Sequence, residues 1–346
     1  MKRTIQDIAD ACGVSIALVS RIINEDSTLR CRPETRAKVL KEIERTAYIP
    51  DYHARLLANN SLKAKKDIRI GYVTYKGAVL KMNAYFDRII EGITTILTDA
   101  EYQVYRFYID EVAQLYRRNM PLCEKKLDGL ILFGEIPDDL ASYLSTQTKY
   151  LSSIYGSFIE NADFVGSDMC STMNGMLDYV KSCGYTEAGL VTGGDQKRID
   201  AIVRYASEIS LHINEKYFFN ALNESQKAYD AIREKLTESP PPKVICCMND
   251  EMAIGTMNAL LDGGYRVPED VSVTGHDDIL KSNYSRVPLT TVRIYKEEIG
   301  RLVTDLLLER INYKRKFPVR VMVPCELVIR KSVIKNKKKE EKDGND

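Results

Sequence analysis

The sequence predicts an α/β protein with two doubly wound parallel-sheet lobes, preceded by a small all-α unit. Three observations support this fold class. Apolar residues before residue 68 follow only the helical period. From residue 68 onward, strand patterns alternate with helix patterns, which is typical of parallel sheets joined by right-handed crossovers. The alternation runs through two successive sets, so we expect two lobes with a cleft between them.

Composition and charge exclude several classes of protein. The 346 residues carry a formal net charge of +1 and contain three His and eight Cys. No His or Cys group has zinc-site spacing and no hydrolase motif occurs, so we expect neither an enzyme nor a metal or cofactor site. We expect free thiols in a reducing cytoplasm, because the chain opens with no signal peptide and contains no apolar run of about 18 residues.

Two short helices are predicted at the N-terminus. The first ends at Gly13 and the second begins at Ser15. Glycine permits the turn that ends the first helix, and serine is a natural N-cap for the second. The apolar face of the first helix consists of Ile5, Ile8, Ala9 and Cys12. The inward face of the second consists of Val19, Ile22 and Ile23. Two helices joined in this way form a helix-turn-helix, whose second helix enters the major groove of DNA.

A motif within these helices carries a family resemblance. The string from Asp7 to Asn24, D-I-A-x-x-x-G-V-S-x-x-x-V-S-R-x-x-N, resembles the DNA-binding headpiece of the LacI/GalR family of bacterial repressors. A helical hairpin with no role at DNA is the alternative, and this motif disfavours it. The resemblance runs over about residues 4–333. It implies a transcription repressor with a periplasmic-binding-protein-like effector core.

The resemblance assigns DNA-contacting roles by position. Ile16 and Ala17 would touch thymine methyl groups at the start of the recognition helix, and Arg21 would read a guanine with two hydrogen bonds. Hydroxyl and amide groups would bind phosphates and set the register on the duplex. These phosphate-binding residues are Thr4, Ser15, Ser20 and Asn24.

The headpiece is predicted over residues 1–47 and is followed by a hinge helix and linker at 48–66. A third helix is expected to begin at Pro33. Its inward residues are expected to be Val39, Leu40, Ile43 and Ala47. In the family, hinge helices of two subunits wedge a leucine each into the minor groove, and Leu57 matches that leucine. The loop after Asn24 is similar to the galactosidase-operon (Ebg-type) branch.

The effector core is predicted as two lobes, with the chain crossing between them near 157–162, 288–292 and 317–321, as the resemblance implies. The N-terminal lobe would comprise 67–160 and 292–318, and the C-terminal lobe 161–291 and 319–333. First-lobe strands are predicted at 68–74, 103–108, 127–134 and 150–154, with helices at 84–97 and 112–127. Second-lobe strands are predicted at 188–191, 216–219, 244–247 and 271–274, with helices at 168–183, 196–208, 225–236 and 250–261. The charged tail at 334–346 is predicted to be disordered. It lacks the leucine heptads that would hold a tetramer together, so we expect a dimer.

Effector-binding residues follow from the same resemblance. Asp277, in a G-H-D-D stretch similar to the family's G-[YF]-D-D, would accept hydrogen bonds from sugar hydroxyls. Asn249 would face the ligand while Asp250 caps the next helix, the alternative being that both only cap. Tyr85 or Phe86 could stack on a sugar, although core packing suits Phe86 equally. Arg198 is the candidate cation, with Arg204 as the other. Because the chain has no Trp, an aromatic platform in the second lobe is Phe219 or absent.

We therefore expect a homodimeric repressor that binds a near-palindromic operator and is released from it by a small sugar, with a galactoside favoured. One alternative is a purine-type regulator whose ligand strengthens DNA binding. Another is a regulator driven by a phosphoprotein partner. A third is a sugar-binding protein whose headpiece is inactive.

Overall fold

The computed structural model of the protein describes residues 5–23, 29–46, 68–74, 84–99, 102–156 and 159–336. The chain divides into two compact units, residues 1–65 and 66–346, and each is described by itself. Thr4, Asn24 and Leu57 lie outside the described residues, as do the predicted hinge and the tail from residue 337. Among the helices of the described ranges, none has the length and apolar content needed to span a bilayer.

Within the described residues, the N-terminal unit contains the helices α1 (Ile5–Cys12), α2 (Ile16–Ile23) and α3 (Pro33–Thr46). Gly13 adopts a left-handed φ of +67° between α1 and α2, a conformation that glycine takes without strain. The Ser15 hydroxyl accepts a hydrogen bond from the Leu18 amide at 3.2 Å, which confirms the predicted N-cap. The buried core of the unit consists of Ile8, Ala9, Cys12, Val19, Ile22 and Val39.

The prediction that Leu40 points into this core is wrong. Leu40 is 44 % exposed, whereas Val39 is fully buried and Ile43 packs against the core. Successive residues of a helix lie about 100° apart, so the i, i+4 pair Val39 and Ile43 defines a narrow stripe and Leu40 falls on its flank. Ala47 lies outside the described residues, and the side chain of Ile23 is likewise not described.

The first lobe of the larger unit contains a six-stranded sheet. Its strands are β1 (Arg69–Thr74), β2 (Gln103–Tyr108), β3 (Leu127–Phe133), β4 (Thr148–Ile154), β5 (Ala162–Gly166) and β11 (Arg320–Met322). All neighbours are parallel, in the order β11-β5-β4-β3-β1-β2. Its helices are α4 (Ala84–Asp99), α5 (Ile109–Arg117), α6 (Asp138–Gln147) and α12 (Lys296–Tyr313). The buried residues of α4 and α12 share one core with this sheet.

The second lobe contains a four-stranded parallel sheet in which the strand order is β7-β6-β8-β9. These strands are β6 (Glu187–Thr192), β7 (His212–Asn220), β8 (Val244–Cys247) and β9 (Ser272–Thr274). Its helices are α7 (Met169–Ser182), α8 (Gln196–Glu208), α9 (Ser225–Glu238), α10 (Asp250–Asp262) and α11 (Leu280–Tyr284). An antiparallel pair, β10 (Thr291–Arg293) and β12 (Glu326–Val328), forms a separate two-stranded sheet. The predicted fold class, two doubly wound parallel lobes after a helical unit, is thus confirmed.

The predicted lobe boundaries need correction at two places. Both β5 and β11 pair within the first sheet, so the chain leaves that sheet after 166 and again after 322, later than predicted. In β5, Asp163 is fully buried and pairs with Arg315, with 2.9 Å between Oδ2 and Nη2. A charged residue in a short strand interrupts the apolar pattern by which strands are recognised in a sequence, so β5 was not predicted.

Helices α4 and α12 approach each other closely at Gly92 and Gly300, which gives a testable prediction. A Cβ atom at Gly92 would lie 2.2 Å from the Glu297 carbonyl oxygen, whereas one at Gly175 of α7 meets nothing within 4 Å. Gly92→Ala is therefore expected to lower the free energy of unfolding by about 1–3 kcal/mol. Gly175→Ala is expected to raise it by about 0.5–1 kcal/mol through helix propensity. Urea denaturation measures both, and equal effects would contradict the close helix contact.

Candidate DNA-binding surface and effector site

Helix α2 presents its predicted base-reading residues to solvent. Ser15, Ile16, Ala17 and Arg21 are exposed and Ser20 is half-buried. On the opposite side of the same helix, Val19 and Ile22 are buried in the core. Ile16 keeps 43 % of its surface exposed at the first position of the helix. Apolar, hydroxyl and guanidinium groups together on one helix face suit contacts with thymine methyl groups, phosphates and guanine.

The start of α4 forms the first-lobe side of the effector site. The Tyr85 ring lies 5.4 Å from Phe86 and 6.0 Å from Tyr155 between ring centroids. Phe86 in turn packs edge-on against the buried Phe133 at 5.0 Å, which favours a packing role for Phe86. Burial, with smaller contributions from Tyr155 and Asp277, raises the pKa of Tyr85 well above its usual value. Tyr85 therefore remains a neutral aromatic ring with a hydroxyl in the site.

The turn after β9 separates the two adjacent carboxylates. Asp277 and Asp278 both adopt positive φ angles, +118° and +51°. Asp278 pairs with Arg293, with 2.7 Å between Oδ2 and Nε, and with Arg330, with 2.5 Å between Oδ1 and Nη2. These partners lower the pKa of Asp278 although its burial opposes them. Asp278 is thus a structural anchor, and Asp277 is the carboxylate available to the site.

His276 contacts two residues of its own, second lobe and orients one of them, Asp277. The ring is fully buried, with Nδ1 3.1 Å from Asp277 Oδ1 and Nε2 2.9 Å from the Thr172 hydroxyl oxygen. Burial, then the charges of Arg198 and Lys296, lower the pKa of His276 well below 6.5, so the ring is neutral. When Asp277 is ionised, the tautomer that donates from Nδ1 to the carboxylate satisfies this contact.

Asp277 is a buried carboxyl near two cations. Burial raises its pKa to about 7, while Lys296 and Arg198 act in the opposite direction. The Arg198 side chain also donates from Nη2 to the Met248 carbonyl oxygen at 3.3 Å. The charge of Arg198 acts to lower the pKa values of Asp277, His276 and Tyr85, whereas Arg204 is exposed. Of the two candidate arginines, the structure brings Arg198 to the site.

The expected roles of Asn249 and Asp250 need correction. Asn249, not Asp250, caps α10, because its Oδ1 accepts from the Met252 amide at 2.8 Å. Its Nδ2 donates to Asn223 Oδ1 at 3.1 Å. Asp250 is fully buried and accepts from three donors, the Ile279 amide and the hydroxyls of Ser282 and Thr291. These bonds tie α10, α11 and β10 together, so Asp250 has a structural role.

Phe219 packs against the second-lobe core rather than with the residues around Asp277. It lies in β7, whose pairing with β6 shifts register between Ala188 and Leu190. A shift of this kind changes which side chains face the core, because alternate residues point to opposite faces. An aromatic platform at Phe219 is therefore not supported, and the alternative of an absent platform in this lobe remains.

Several residues of the site were not predicted from sequence. Tyr155 follows β4, and burial raises its pKa to about 12. The hydroxyls of Tyr155 and Ser167 are buried, and Tyr155 lies near Asp277 and Cys325 while Ser167 lies near Cys325. Both residues directly follow first-sheet strands, so the rule that ligands bind at carboxyl strand ends could have identified them. Lys296, 8 % exposed, has no comparable sequence signal.

A cavity of about 510 Å³ adjoins this site between α7 and the segment from Met322 to Leu327. Its lining includes Thr172, which contacts His276, and Cys325, whose pKa responds to Asp277 and Lys296. Cavities of about 300–1,000 Å³ are typical of small-molecule sites. The cavity borders His276 through Thr172, whereas Asp277, Arg198 and Tyr85 lie outside its lining.

The raised pKa of Asp277 predicts a pH dependence of stability. Native Asp277 keeps a proton up to about pH 7, whereas the unfolded carboxyl releases it near 3.8. Its stabilising contribution is therefore complete below pH 4 and is lost as the pH rises through 7. Relative to Asp277→Asn, the wild-type protein should lose about 2–4 kcal/mol over this window, measured by urea denaturation.

Asp270 provides a control of opposite sign. Its hydrogen bonds with Arg266 lower its pKa, so its contribution is lost as the pH falls, not as it rises. If wild type and Asp277→Asn had parallel stability profiles between pH 4 and 7, the assignment of a protonated native Asp277 would be wrong.

Comparison with known proteins identifies the family. A model described as bacterial regulatory proteins, lacI family, matches residues 4–51, and a periplasmic binding protein-like domain matches residues 177–333. The HTH-type transcriptional repressor PurR of Haemophilus influenzae (strain PittEE) is 30 % identical over 342 residues, covering 95 % of this chain and 98 % of its own. PurR of Histophilus somni (strain 129Pt) is 28 % identical over 340 residues with the same coverage.

Solved structures show the same fold. The lac repressor dimer bound to operator and the anti-inducer ONPF superimposes with a TM-score of 0.65 at 22 % identity, over 96 % of this chain and 100 % of that chain. The transcriptional regulator CelR–cellobiose complex gives 0.66 at 21 % identity, over 95 % of this chain and 99 % of that chain.

These relatives correct one prediction. They are named PurR, so the assignment to the galactosidase-operon branch, which rested on the loop after Asn24, is not supported. The broader resemblance is confirmed over nearly the whole chain. The chain belongs to the LacI family and is a DNA-binding transcription repressor, not an enzyme, with a ligand-binding effector core of two periplasmic-binding-protein-like lobes.

Proposed function

We propose that the effector is a small sugar, bound between the lobes beside Asp277, and that its binding relieves operator affinity. The observation that carries this proposal is the grouping of Asp277 and Tyr85 around Lys296, whose ammonium donates to the Asp277 carbonyl and lies 5.7 Å from the Tyr85 ring centroid. Arg198 is near enough to favour the ionised form of Asp277. An ionised carboxylate accepts protons from adjacent hydroxyls, a guanidinium donates to their oxygens, and an aromatic ring covers an apolar sugar face. Galactosides are the first sugars to test.

The coupling between ligand and DNA follows from two-site linkage. If the sugar weakens operator binding by some factor, the operator must weaken sugar binding by the same factor. Isothermal titration of galactose, lactose and glucose into the protein, with and without operator, tests the proposal. Weaker sugar binding in the presence of operator is the expected result. Sugar binding of equal affinity in both conditions would overturn it.

A purine-type corepressor is the second candidate, and the relatives named PurR favour it. The aromatic ring of Tyr85 and the Arg198–Asp277 pair could also hold a flat heterocycle with donors and acceptors on its edge. The sign of the ligand effect separates the two candidates, because a corepressor would bind more tightly in the presence of operator.

We further propose that the protein acts in the cytoplasm as a homodimer on a near-palindromic operator, since each headpiece reads one half-site. Helix α11 supports a dimer face in the second lobe, because Leu280 is 67 % exposed and Tyr284 is 77 % exposed. The two residues lie at i and i+4, on one side of the helix. Large apolar side chains grouped at the surface are typical of interfaces.

Tyr284→Asp is therefore expected to shift the protein from dimer towards monomer in sedimentation velocity, because it would place a charge inside an apolar interface. Phe317→Asp is the matched control, since Phe317 is 65 % exposed in the first lobe beyond α12. Dissociation by the control variant alone, or by neither variant, would contradict the proposed face.

A further inference from the structure

Lys296 is a buried cation whose hydrogen bonds all go to backbone. Its ammonium donates to the Asp277 carbonyl, to the Ile294 carbonyl at 3.2 Å and to the Asp278 carbonyl at 3.4 Å. An ammonium has three donors, so these carbonyls use its full capacity. Burial lowers the pKa of Lys296, and the neighbouring carboxylates, Asp277 foremost, oppose that shift. Because burying a charged group is energetically unfavourable, we expect Lys296 to have a specific role.

Two of the three carbonyls that Lys296 holds belong to the left-handed turn of Asp277 and Asp278. Non-glycine residues keep a positive φ only where their surroundings fix that conformation. The ammonium draws both carbonyl oxygens towards itself. It thereby sets the turn from which the Asp277 side chain enters the site and the Asp278 side chain leaves towards Arg293 and Arg330.

Lys296 also joins the two lobes. It is the first residue of α12, which is fixed against α4 through the close contact at Gly92. Its ammonium lies 5.7 Å from the ring centroid of Tyr85, which is a cation–π distance. A single side chain from the first lobe thus contacts the backbone of the second-lobe turn and the ring of the first-lobe aromatic residue.

We propose that Lys296 is a positioning residue of the effector site, which fixes the turn that aims Asp277 and supplies the positive charge that favours an anionic carboxylate there. The inference rests on the proposed effector role of Asp277. Because Lys296 touches both lobes, its contact with the turn also makes α12 sensitive to what Asp277 binds.

The charge environment of Asp277 comes from several elements. Besides Lys296, the groups that face it are Arg198 of α8, Asp250 and Glu251 of α10, neutral His276, Tyr85, Tyr155 and Cys325. Arg198 and Lys296 both favour the ionised carboxylate, whereas burial and Glu251 disfavour it. Removing Lys296 therefore leaves Arg198 as the remaining cation among these groups.

The test is an NMR titration of the ligand-free full chain. With ¹³C-labelled aspartate, and Asp277→Asn used for assignment, the Asp277 carboxyl should titrate near pH 7 in wild type. Lys296→Met should move this midpoint upward, and Lys296→Arg should restore it towards the wild-type value. Lys281→Met is the matched control, because Lys281 lies in the second lobe, as Asp277 does, and its side chain is 64 % exposed. An unchanged midpoint in Lys296→Met would overturn the proposal.

A reciprocal measurement covers the case in which Lys296→Met does not fold. Coupling between two charges acts equally on both, so Asp277→Asn must lower the pKa of Lys296, followed through its ¹⁵Nζ resonance. An unchanged Lys296 pKa would overturn the proposal on its own. Neither titration needs an effector, so failure to bind any sugar would count against the proposed function only.

A binding arm separates positioning from general stability. If the Asp277 midpoint rises by one pH unit, galactose affinity at pH 7 should fall about fivefold, because the ionised fraction drops from one half to about one tenth. Affinity should recover at higher pH in Lys296→Met, and it should match wild type in Lys296→Arg. A loss that is independent of pH would indicate a purely structural role and would contradict the proposed charge effect.

Discussion

An Asp277→Asn variant is expected to lose galactose affinity by about 30- to 1,000-fold while keeping its operator affinity. The amide removes the anionic acceptor at the centre of the site and leaves Arg198 and Lys296 without the carboxylate they face. Isothermal titration calorimetry measures the loss, and operator binding with added galactose should show a repressor that no longer responds.

The neighbouring carboxylate supplies the matched control for this prediction. Asp278→Asn breaks contacts with Arg293 and Arg330 and should lower the free energy of unfolding, with little change in galactose affinity. Of these two adjacent aspartates, substitution of the first should lower galactose affinity and substitution of the second should lower stability. If Asp278→Asn lost galactose affinity and Asp277→Asn kept it, the roles assigned to the two carboxylates would be wrong.

Arg21→Ala is expected to weaken operator binding by about 10- to 150-fold and to relax specificity at one base pair of each half-site. Arg21 is exposed on α2, on the face opposite the buried Val19 and Ile22. Competition binding against duplexes altered at each position identifies the base pair concerned, because Arg21→Ala should tolerate the change that wild type rejects.

Lys41→Ala is the control for this experiment. Lys41 is also exposed and cationic but lies on α3, outside the recognition helix. It should leave the base preference unchanged, whatever its effect on overall affinity. A relaxed base preference in both variants, or in neither, would remove Arg21 from its proposed role.

The helices of the N-terminal unit were predictable because local signals agree there. Glycine ends α1, serine caps α2, proline opens α3, and the apolar residues follow the helical period. Helix α12 was not predicted, although buried apolar residues such as Ile299, Val303 and Leu307 recur in it at helical spacing. The contacts of its buried Lys296 and Arg310 with the distant carbonyls of Asp277 and Asn161 could not be read from a hydropathy pattern.

The effector site likewise contains residues that the sequence predicted and contacts that it did not. The positions of Asp277 and Arg198 followed from a motif and a strand end, and the structure brings both to one place. The contact of His276 with Thr172 joins residues 104 positions apart, so only the folded lobe reveals it. Phe219 was named because the chain has no Trp, and its packing against the second-lobe core could be seen only in the folded lobe.

The central claim is that a sugar bound at Asp277 relieves operator affinity. The most direct measurement is fluorescence anisotropy of a labelled near-palindromic operator, selected with this protein from a random library. Wild-type protein would be titrated with and without galactose, lactose, glucose and a purine, in parallel with Asp277→Asn. We predict that a sugar lowers wild-type affinity by about 5- to 150-fold and leaves Asp277→Asn unchanged. A sugar that binds without changing operator affinity, or tighter operator binding with the purine, would contradict the account.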